Sequence, residues 1–377
     1  MTLRLPRRAA TALLVLTLAS CAEAPVPSPS GLVAAASPEA AEAGAEILAL
    51  GGNAVDAAVA VQFALAVTEP AMSGLGGQTQ MLVQRPGEEP VALNGTSFSP
   101  RGTPADATED DLTGRRATTI PATVRTLAFA WREMGSGEVA WARLLEPAIR
   151  YAEEGFEVGP FRHRVWLRHR DDLARDPATA GLFLRPDGSV PEAGSLFLQP
   201  VLARTLRRLA EAGAEEFYEG EMARQVAADM AEHGGWMVLD DLRELPDPTP
   251  VPAIGTSFHD TRVATFPPPA GGWVVLQALN LMELQDSPGW REDGEARARG
   301  VAEALRIAHR SRATDPVEDL VDYGDAVAER ISKETARRLW EARGEPAEGA
   351  EAAVPEMARD ATRGETTHFT VVDGDGL

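Results

Sequence analysis

The hydrophobic and polar positions of this chain sort into a few clear patterns. Leu32-Val33-Ala34-Ala35-Ala36 is a short apolar run and predicts a buried strand. Ser37-Pro38-Glu39 then supplies an N-cap residue, a proline at the first helical position and an early acid, so a helix starts there. Its apolar positions run through Ile47 and Leu50, and Gly51-Gly52 stops it. Asn53 caps a second helix with Asp56 at its third position. The body of that helix, Ala54 to Val67, is apolar nearly all round, which predicts burial on most sides.

Further along, helical spacing covers 139–153, 200–212 and 221–232, the last two stopped by Gly213 and by Gly234-Gly235. In the second of these, Leu202, Leu206 and Leu209 form the apolar side and Arg204, Arg207 and Arg208 the polar one. Residues 263–266 read as a strand. The corner Pro267-Pro268-Pro269-Ala270-Gly271-Gly272 opens a buried helix over 273–284, and 297–312 reads as an amphipathic helix. The last pattern has period two. Thr367, Phe369 and Val371 fall on one face, His368, Thr370 and Val372 on the other. A strand is expected from Thr367, followed by hairpin-turn chemistry in Asp373-Gly374-Asp375-Gly376. Such a turn wants a second strand, but the sequence stops at Leu377. We therefore expect a shortened copy of a longer sequence.

Three segments lack the patterns of a packed core. Residues 1–20 combine Arg4, Arg7 and Arg8 with an apolar run from Ala9 to Leu18, the shape of an export signal. The apolar run is shorter than the roughly 20 residues of a membrane-spanning helix. Leu18-Ala19-Ser20-Cys21 resembles a bacterial lipoprotein box, implying cleavage before Cys21 and acylation of its thiol. The other reading is an ordinary signal peptide with a chance cysteine. Residues 21–30 then form a Pro-rich tether, and 31–365 form the main globular region. Within it, 344–365 is rich in Ala, Glu, Gly and Pro, and is expected to be a mobile surface segment leading up to Thr366.

Composition narrows the function classes. The chain has 377 residues, 44% of them hydrophobic and 25% charged, enough for a large core. Its net charge of −21 argues against nucleic acid and against an anionic membrane surface, so any membrane contact is expected through a lipid anchor alone. Cys21 is the single cysteine, which excludes an internal disulfide and a Cys-based metal site. The six histidines form no HExxH or tight cluster, and neither a Gly-x-Ser-x-Gly elbow nor a Gly-rich Lys-Ser/Thr loop is present. No metal and no cofactor is therefore expected. Ser73-Gly74-Leu75-Gly76-Gly77 follows a helix and leads into the strand Met81-Leu82-Val83, unlike a dinucleotide loop. Its glycines are read as answers to backbone crowding near a site. Asp240-Asp241 and Asp315-Pro316 are read as helix caps or solvated turns.

The candidate chemistry sits at Thr366. A threonine hydroxyl is a weak nucleophile and needs a base beside it. Cleavage between Glu365 and Thr366 would give Thr366 a free α-amine within reach of its own hydroxyl. Such an amine has an ordinary pKa of about 7.7–8.0, well placed to take the hydroxyl proton near neutrality. One residue would then hold nucleophile and base. The plainer reading is a Thr-Thr pair kept for its strand propensity.

Seven runs, in order, resemble the γ-glutamyltranspeptidase (glutathione hydrolase) family: GGNAVDAAVAVQFALAVTEP (51–70), SGLGG (73–77), EPAIRYAEEGF (146–156), LAEAGAEEFYEGE (209–221), GGWMVLDDL (234–242), FPPPAGG (266–272) and TTHFTVVD (366–373). The resemblance implies an α/β (α+β) N-terminal-nucleophile hydrolase, a four-layer αββα sandwich made as one precursor. It implies autocleavage at Glu365-Thr366, with Thr366 as the catalytic residue, and the start of the small subunit at 366–377. It also implies a γ-glutamyltransferase or glutathione hydrolase that passes the γ-glutamyl group of glutathione to water or an amino acid through a Thr ester. The implied partner is the protein's own small subunit; the export signal and the lipoprotein box at Cys21 lead us to expect the cell envelope or periplasm.

The sequence departs from the family twice. The family usually carries an arginine a few residues before an Ala-Pro after the second strand, gripping the donor's α-carboxylate. The matching stretch, Leu93 to Pro100, has none, and Arg101 lies beyond the proline. Without a charge-assisted bidentate contact there, the donor-binding residues remain unassigned. Most of the small subunit, with the family's oxyanion-hole glycines, is also missing. The sandwich is thus expected to be incomplete, with apolar sheet surface left bare, and this chain alone inactive. The alternatives are a related amide acylase with another acyl donor, and a catalytically inactive envelope lipoprotein.

Overall fold

The computed structural model describes residues 31–108, 111–112, 114–285, 292–344 and 366–377. The expected signal, the tether with Cys21, residues 345–364 and Glu365 lie outside the described residues.

The fold is built round one helix. α2 (Ala54–Thr68) has every residue buried, as its apolar composition predicts. Its first turn is closed by a reciprocal cap. Asn53 Oδ1 accepts from the Val55 and Asp56 amides at 3.0 Å each, and Asp56 Oδ2 accepts from the Asn53 amide at 3.1 Å. α1 (Pro38–Ala49), α3 (Thr123–Met134) and α4 (Trp141–Glu154) pack against it. Phe63, at its centre, meets Trp141 of α4 edge-on with ring centroids 5.5 Å apart. The Trp141 indole in turn donates to Leu209 O at 3.0 Å, tying in the helix Pro200–Ala212.

The cap of α1 is the expected one: Ser37 Oγ accepts from the Ala40 amide at 3.2 Å. Gly51 sits at φ +89°, where only glycine is unstrained, and turns the chain from α1 towards α2. α4 starts two residues later than its spacing predicts. Val139 is held in the preceding loop, where its carbonyl accepts from the Trp131 indole at 2.9 Å.

The strands form small sheets. β1 (Gly31–Ala34) pairs antiparallel with β9 (Thr370–Asp373), Gly31 opposite Asp373 and Ala34 opposite Thr370. β2 (Thr79–Val83), β3 (Val91–Gly95) and β6 (Pro250–Pro252) form a three-stranded antiparallel sheet. β4 (Phe156–Glu157) pairs with β5 (Leu196–Phe197), and β7 (Ile254–Phe258) with β8 (Thr261–Thr265). The helices Gly272–Glu283 and Gly294–Thr314 enclose a second core of Trp273, Val274, Leu281 and Ile307.

Two strand expectations need correcting. β1 is half-buried rather than buried. Val33 packs with Phe369 and Val371 on Ala40, Ala43, Val61, Ala64 and Leu65, while Leu32 is 69% and Val372 38% exposed on the other face. Apolar sheet surface is thus bare, as expected. β9 begins at Thr370 rather than Thr367. Its partner ends at Ala34, because Ser37 and Pro38 already commit the chain to α1, so 367–369 have no ladder to join.

Candidate active site

Thr366 is exposed and begins the segment leading into β9. The topology fixes which end of the molecule it reaches. Asp373, at the far end of β9, accepts from the Ala54 amide at 3.0 Å and so sits at the N-terminus of α2. From Asp373 back to Thr366 the chain runs along α2. Seven extended residues span about 23 Å, and a 15-residue helix about 22 Å. Phe369 and Val371 pack against the cluster of Ala40 and Ala43 from α1 and Val61, Ala64 and Leu65 from α2, so the segment heads for the C-terminal half of α2 and the start of α1. That start is bonded to the C-terminal end of α2 through Ser37 Oγ and Thr68 Oγ1, 2.8 Å apart. Thr366 therefore arrives where α2 ends and the turn of residues 69–77 begins.

Alternation continues through this segment. Thr367 and Phe369 face inward and His368 outward. His368 Nε2 lies 3.4 Å from Thr370 Oγ1, on the exposed side. The Thr367 hydroxyl oxygen is buried with no hydrogen-bond partner among the described residues.

Asp373 holds the segment in place. Besides the Ala54 amide, its carboxylate accepts from the amides of Asp375 and Leu377 at 3.0 Å each. Asp373→Ala is expected to cost about 1–2 kcal/mol, since three amides lose a charged acceptor. Chemical denaturation would show it as a lower midpoint at unchanged slope.

The turn after α2 is tied from several sides. Glu69 O accepts from the Met72 and Ser73 amides at 2.8 and 2.9 Å. Gln62 Nε2 donates to Ser73 Oγ at 3.0 Å, and Gly77 O accepts from the Ala122 and Thr123 amides at 2.9 and 3.1 Å. The glycines here are not answers to crowding. Among the described residues, a Cβ on Gly74 would meet nothing nearer than 4.0 Å, one on Gly76 nothing at all, and one on Gly77 only Thr123 Oγ1 at 3.6 Å and Gly74 O at 3.9 Å. The turn thus presents bare backbone to open space.

Glu69 itself is buried. Burial pushes its carboxyl above the ordinary range; the Arg162 cation opposes the shift and the Glu39 carboxylate adds to it. Arg162 comes from α5 (Pro160–Arg168). No pattern along the chain marked it, since its partners stand 93 and 123 residues away.

The other sequence candidates fall outside this region or are engaged. Arg101 pairs with Glu244 and lies 3.5 Å from Asp241, so its guanidinium is not a free carboxylate clamp. Asp241 caps the short helix Leu239–Arg243 by accepting from the Val238 amide at 2.9 Å, and Asp315 pairs with Arg330 at 2.7 Å. Both are structural roles, as read from the sequence.

Residues 40–377 match the sequence profile described as Gamma-glutamyltranspeptidase. The chain belongs to the gamma-glutamyltranspeptidase family. It is 30% identical over 371 residues to the glutathione hydrolase proenzyme of Bacillus subtilis (strain 168), covering 91% of this chain and 62% of that protein. It is 31% identical over 388 residues to the acylase ACY 1 proenzyme of Pseudomonas sp. (strain V22), covering 95% of this chain and 65% of that protein. The chain thus spans less than two thirds of the length of these relatives. Its fold matches Helicobacter pylori gamma-glutamyltranspeptidase with a TM-score of 0.77 at 26% identity, covering 88% of this chain and 97% of that one. It matches cephalosporin acylase from Bacillus halodurans with a TM-score of 0.77 at 30% identity, covering 94% and 67%. The fold is therefore the α+β N-terminal-nucleophile hydrolase fold shared by gamma-glutamyltranspeptidases and such acylases.

Proposed function

We propose that the protein is a γ-glutamyltransferase or glutathione hydrolase that becomes active by cutting itself between Glu365 and Thr366. The observation that carries this reading is the family match over residues 40–377, which takes in an exposed Thr366 four residues ahead of β9. In the cut, Thr366 Oγ attacks the Glu365 carbonyl. An ester replaces the amide, and the hydroxyl proton passes to the departing nitrogen. Water then hydrolyses the ester, leaving the Glu365 carboxylate and a free Thr366 amine.

In turnover, that amine takes the proton from the Thr366 hydroxyl as Oγ attacks the γ-glutamyl carbonyl of the donor. The proton passes on to the leaving amine as the γ-glutamyl ester forms. Water or an amino acid then accepts the acyl group and restores the hydroxyl. No metal or cofactor enters these steps. The segment from Thr366 onward would belong to the small subunit, which stays with the large one. Export, cleavage before Cys21 and a lipid anchor there would place the enzyme in the cell envelope.

A second reading keeps Thr366 and changes the donor. The engagement of Arg101 by Glu244 and Asp241, together with a likeness to acylases as close as that to glutathione hydrolases, favours an amide without an α-carboxylate. Protein expressed from the complete gene, assayed with γ-glutamyl-p-nitroanilide and with a simple acyl amide, separates the two. Robust γ-glutamyl turnover eliminates the acylase reading. Turnover of the acyl amide alone eliminates the first. Turnover of neither, with Thr366 uncut, leaves an inactive envelope lipoprotein.

A further inference from the structure

Arg162 is a nearly buried cation serving three elements. Its Nη2 lies 2.9 Å from Glu39 Oε2, in the first turn of α1. Its Nε lies 3.8 Å from Glu69 Oε1, at the end of α2. Its Nη1 donates to Glu157 O of β4 at 2.9 Å, and its guanidinium lies over the Phe156 ring, 4.7 Å from the centroid. The side chains of Arg162, Glu39 and Glu69 are all nearly withdrawn from solvent, at 10%, 14% and 8% exposure. The cluster holds two carboxylates and one guanidinium, an arrangement that surface solubility does not call for. Burying charge is costly unless each group is matched; here the first turn of α1 and the end of α2 supply the opposing carboxylates, while Arg162 Nε has no hydrogen-bond partner among the described residues.

The consequence is geometric. Phe369, three residues after Thr366, packs against the cluster of Ala40, Ala43, Val61, Ala64 and Leu65, beside Glu39 in the first turn of α1 and towards the end of α2 that Glu69 caps. Glu69 starts the turn of residues 69–77, and its carbonyl carries the Met72 and Ser73 amides. A small hollow lined by Glu69, Pro70, Met72, Phe161, Arg162 and Trp166 separates that turn from the body of α5. We propose that Arg162 is a positioning residue for Thr366: through Glu39 and Glu69 it locks the turn of residues 69–77 against the start of the Thr366 segment. This rests on Thr366 being the nucleophile and adds a fixed turn that the nucleophile works against. The free backbone face at Gly74 and Gly76 keeps its place only while Glu69 keeps its own.

The test uses protein from the complete gene, with Arg162→Met, Arg162→Lys and Glu69→Gln. Arg162→Met is expected to slow cutting at Thr366 and to lower kcat by about tenfold or more, the scale of a small misplacement at a reacting centre, with KM within about twofold. Arg162→Lys should recover part of the loss, because it restores the charge but not the fork. Arg162 and Glu39 are the charged groups facing Glu69. Wild-type kcat should fall once as the Thr366 amine takes a proton, and again further into the acid range as Glu69 takes one above the usual carboxylate pKa. Glu69→Gln should lack only the second fall.

A folded Arg162→Met enzyme with wild-type cutting and kcat overturns the proposal. Should that variant not fold, Glu69→Gln decides. An unchanged kcat with both falls unchanged overturns the proposal; a lowered kcat with the second fall gone supports it. An uncut wild-type protein defeats the functional reading and the proposal together. A cut wild type with indifferent variants defeats the proposal alone.

Discussion

Thr366→Ala, made in protein from the complete gene, is expected to stay uncut and to lose turnover on the order of 10⁶-fold, the scale of removing a covalent nucleophile. Two independent losses give that size. Without the hydroxyl no ester with Glu365 can form, so the α-amine is never released. Without the hydroxyl there is also nothing to carry an acyl group. Thr366→Ser keeps the hydroxyl and should still cut, more slowly, because it lacks the methyl that restricts χ1. Gel electrophoresis follows the cut and a chromogenic amide follows turnover. Full activity in the Ala variant would remove Thr366 from the chemistry. His368 does not offer a substitute, since its ring nitrogen is turned to Thr370 Oγ1 at 3.4 Å on the exposed face.

The second large effect concerns stability. Phe63→Ala is expected to cost about 3–5 kcal/mol. Phe63 is fully buried in the middle of α2, and its ring stands edge-on to Trp141. The void would open between α2 and α4, where neither helix can close in, since α1 and β9 brace α2 from other sides. Against a total of about 5–15 kcal/mol for a folded domain, this is a large share. Denaturant unfolding followed by tryptophan fluorescence should show a lower midpoint, and Trp141 reports on the site directly. A loss under about 1 kcal/mol would mean that α2 is not the centre of the core.

The features legible along the chain are the local ones. The caps at Ser37 and Asn53, and the all-round apolar face of 54–67, need only neighbours within one or two turns, and each is where the residues call for it. The two-faced pattern of 367–372 likewise told inside from outside, with Phe369 and Val371 against α1 and α2. Features settled by distant partners misled. Leu32 looks buried by composition, but only one face of the β1–β9 pair has helices against it. The start of β9 is set by where β1 ends, at the other end of the sequence. Gly74 and Gly76 suggested crowding, yet nothing among the described residues presses on them. Arg162 carried no motif at all, because its meaning lies in meeting Glu39 and Glu69 across the fold.

Family membership was legible for a related reason. The seven family-like runs include the segments that build α2, the turn after it and β9, so they hold parts whose geometry is shared. Donor choice is less local. It depends on which side chains reach the Thr366 end, and the nearest basic candidate after β3, Arg101, is spent on Asp241 and Glu244.

The most direct test is mass spectrometry of the purified protein, expressed from its complete gene, to map every polypeptide N-terminus. The account predicts one new terminus at Thr366, with a free α-amine, and a matching C-terminus at Glu365. A single intact polypeptide across that bond, in a protein that turns over a γ-glutamyl or acyl amide, would contradict it.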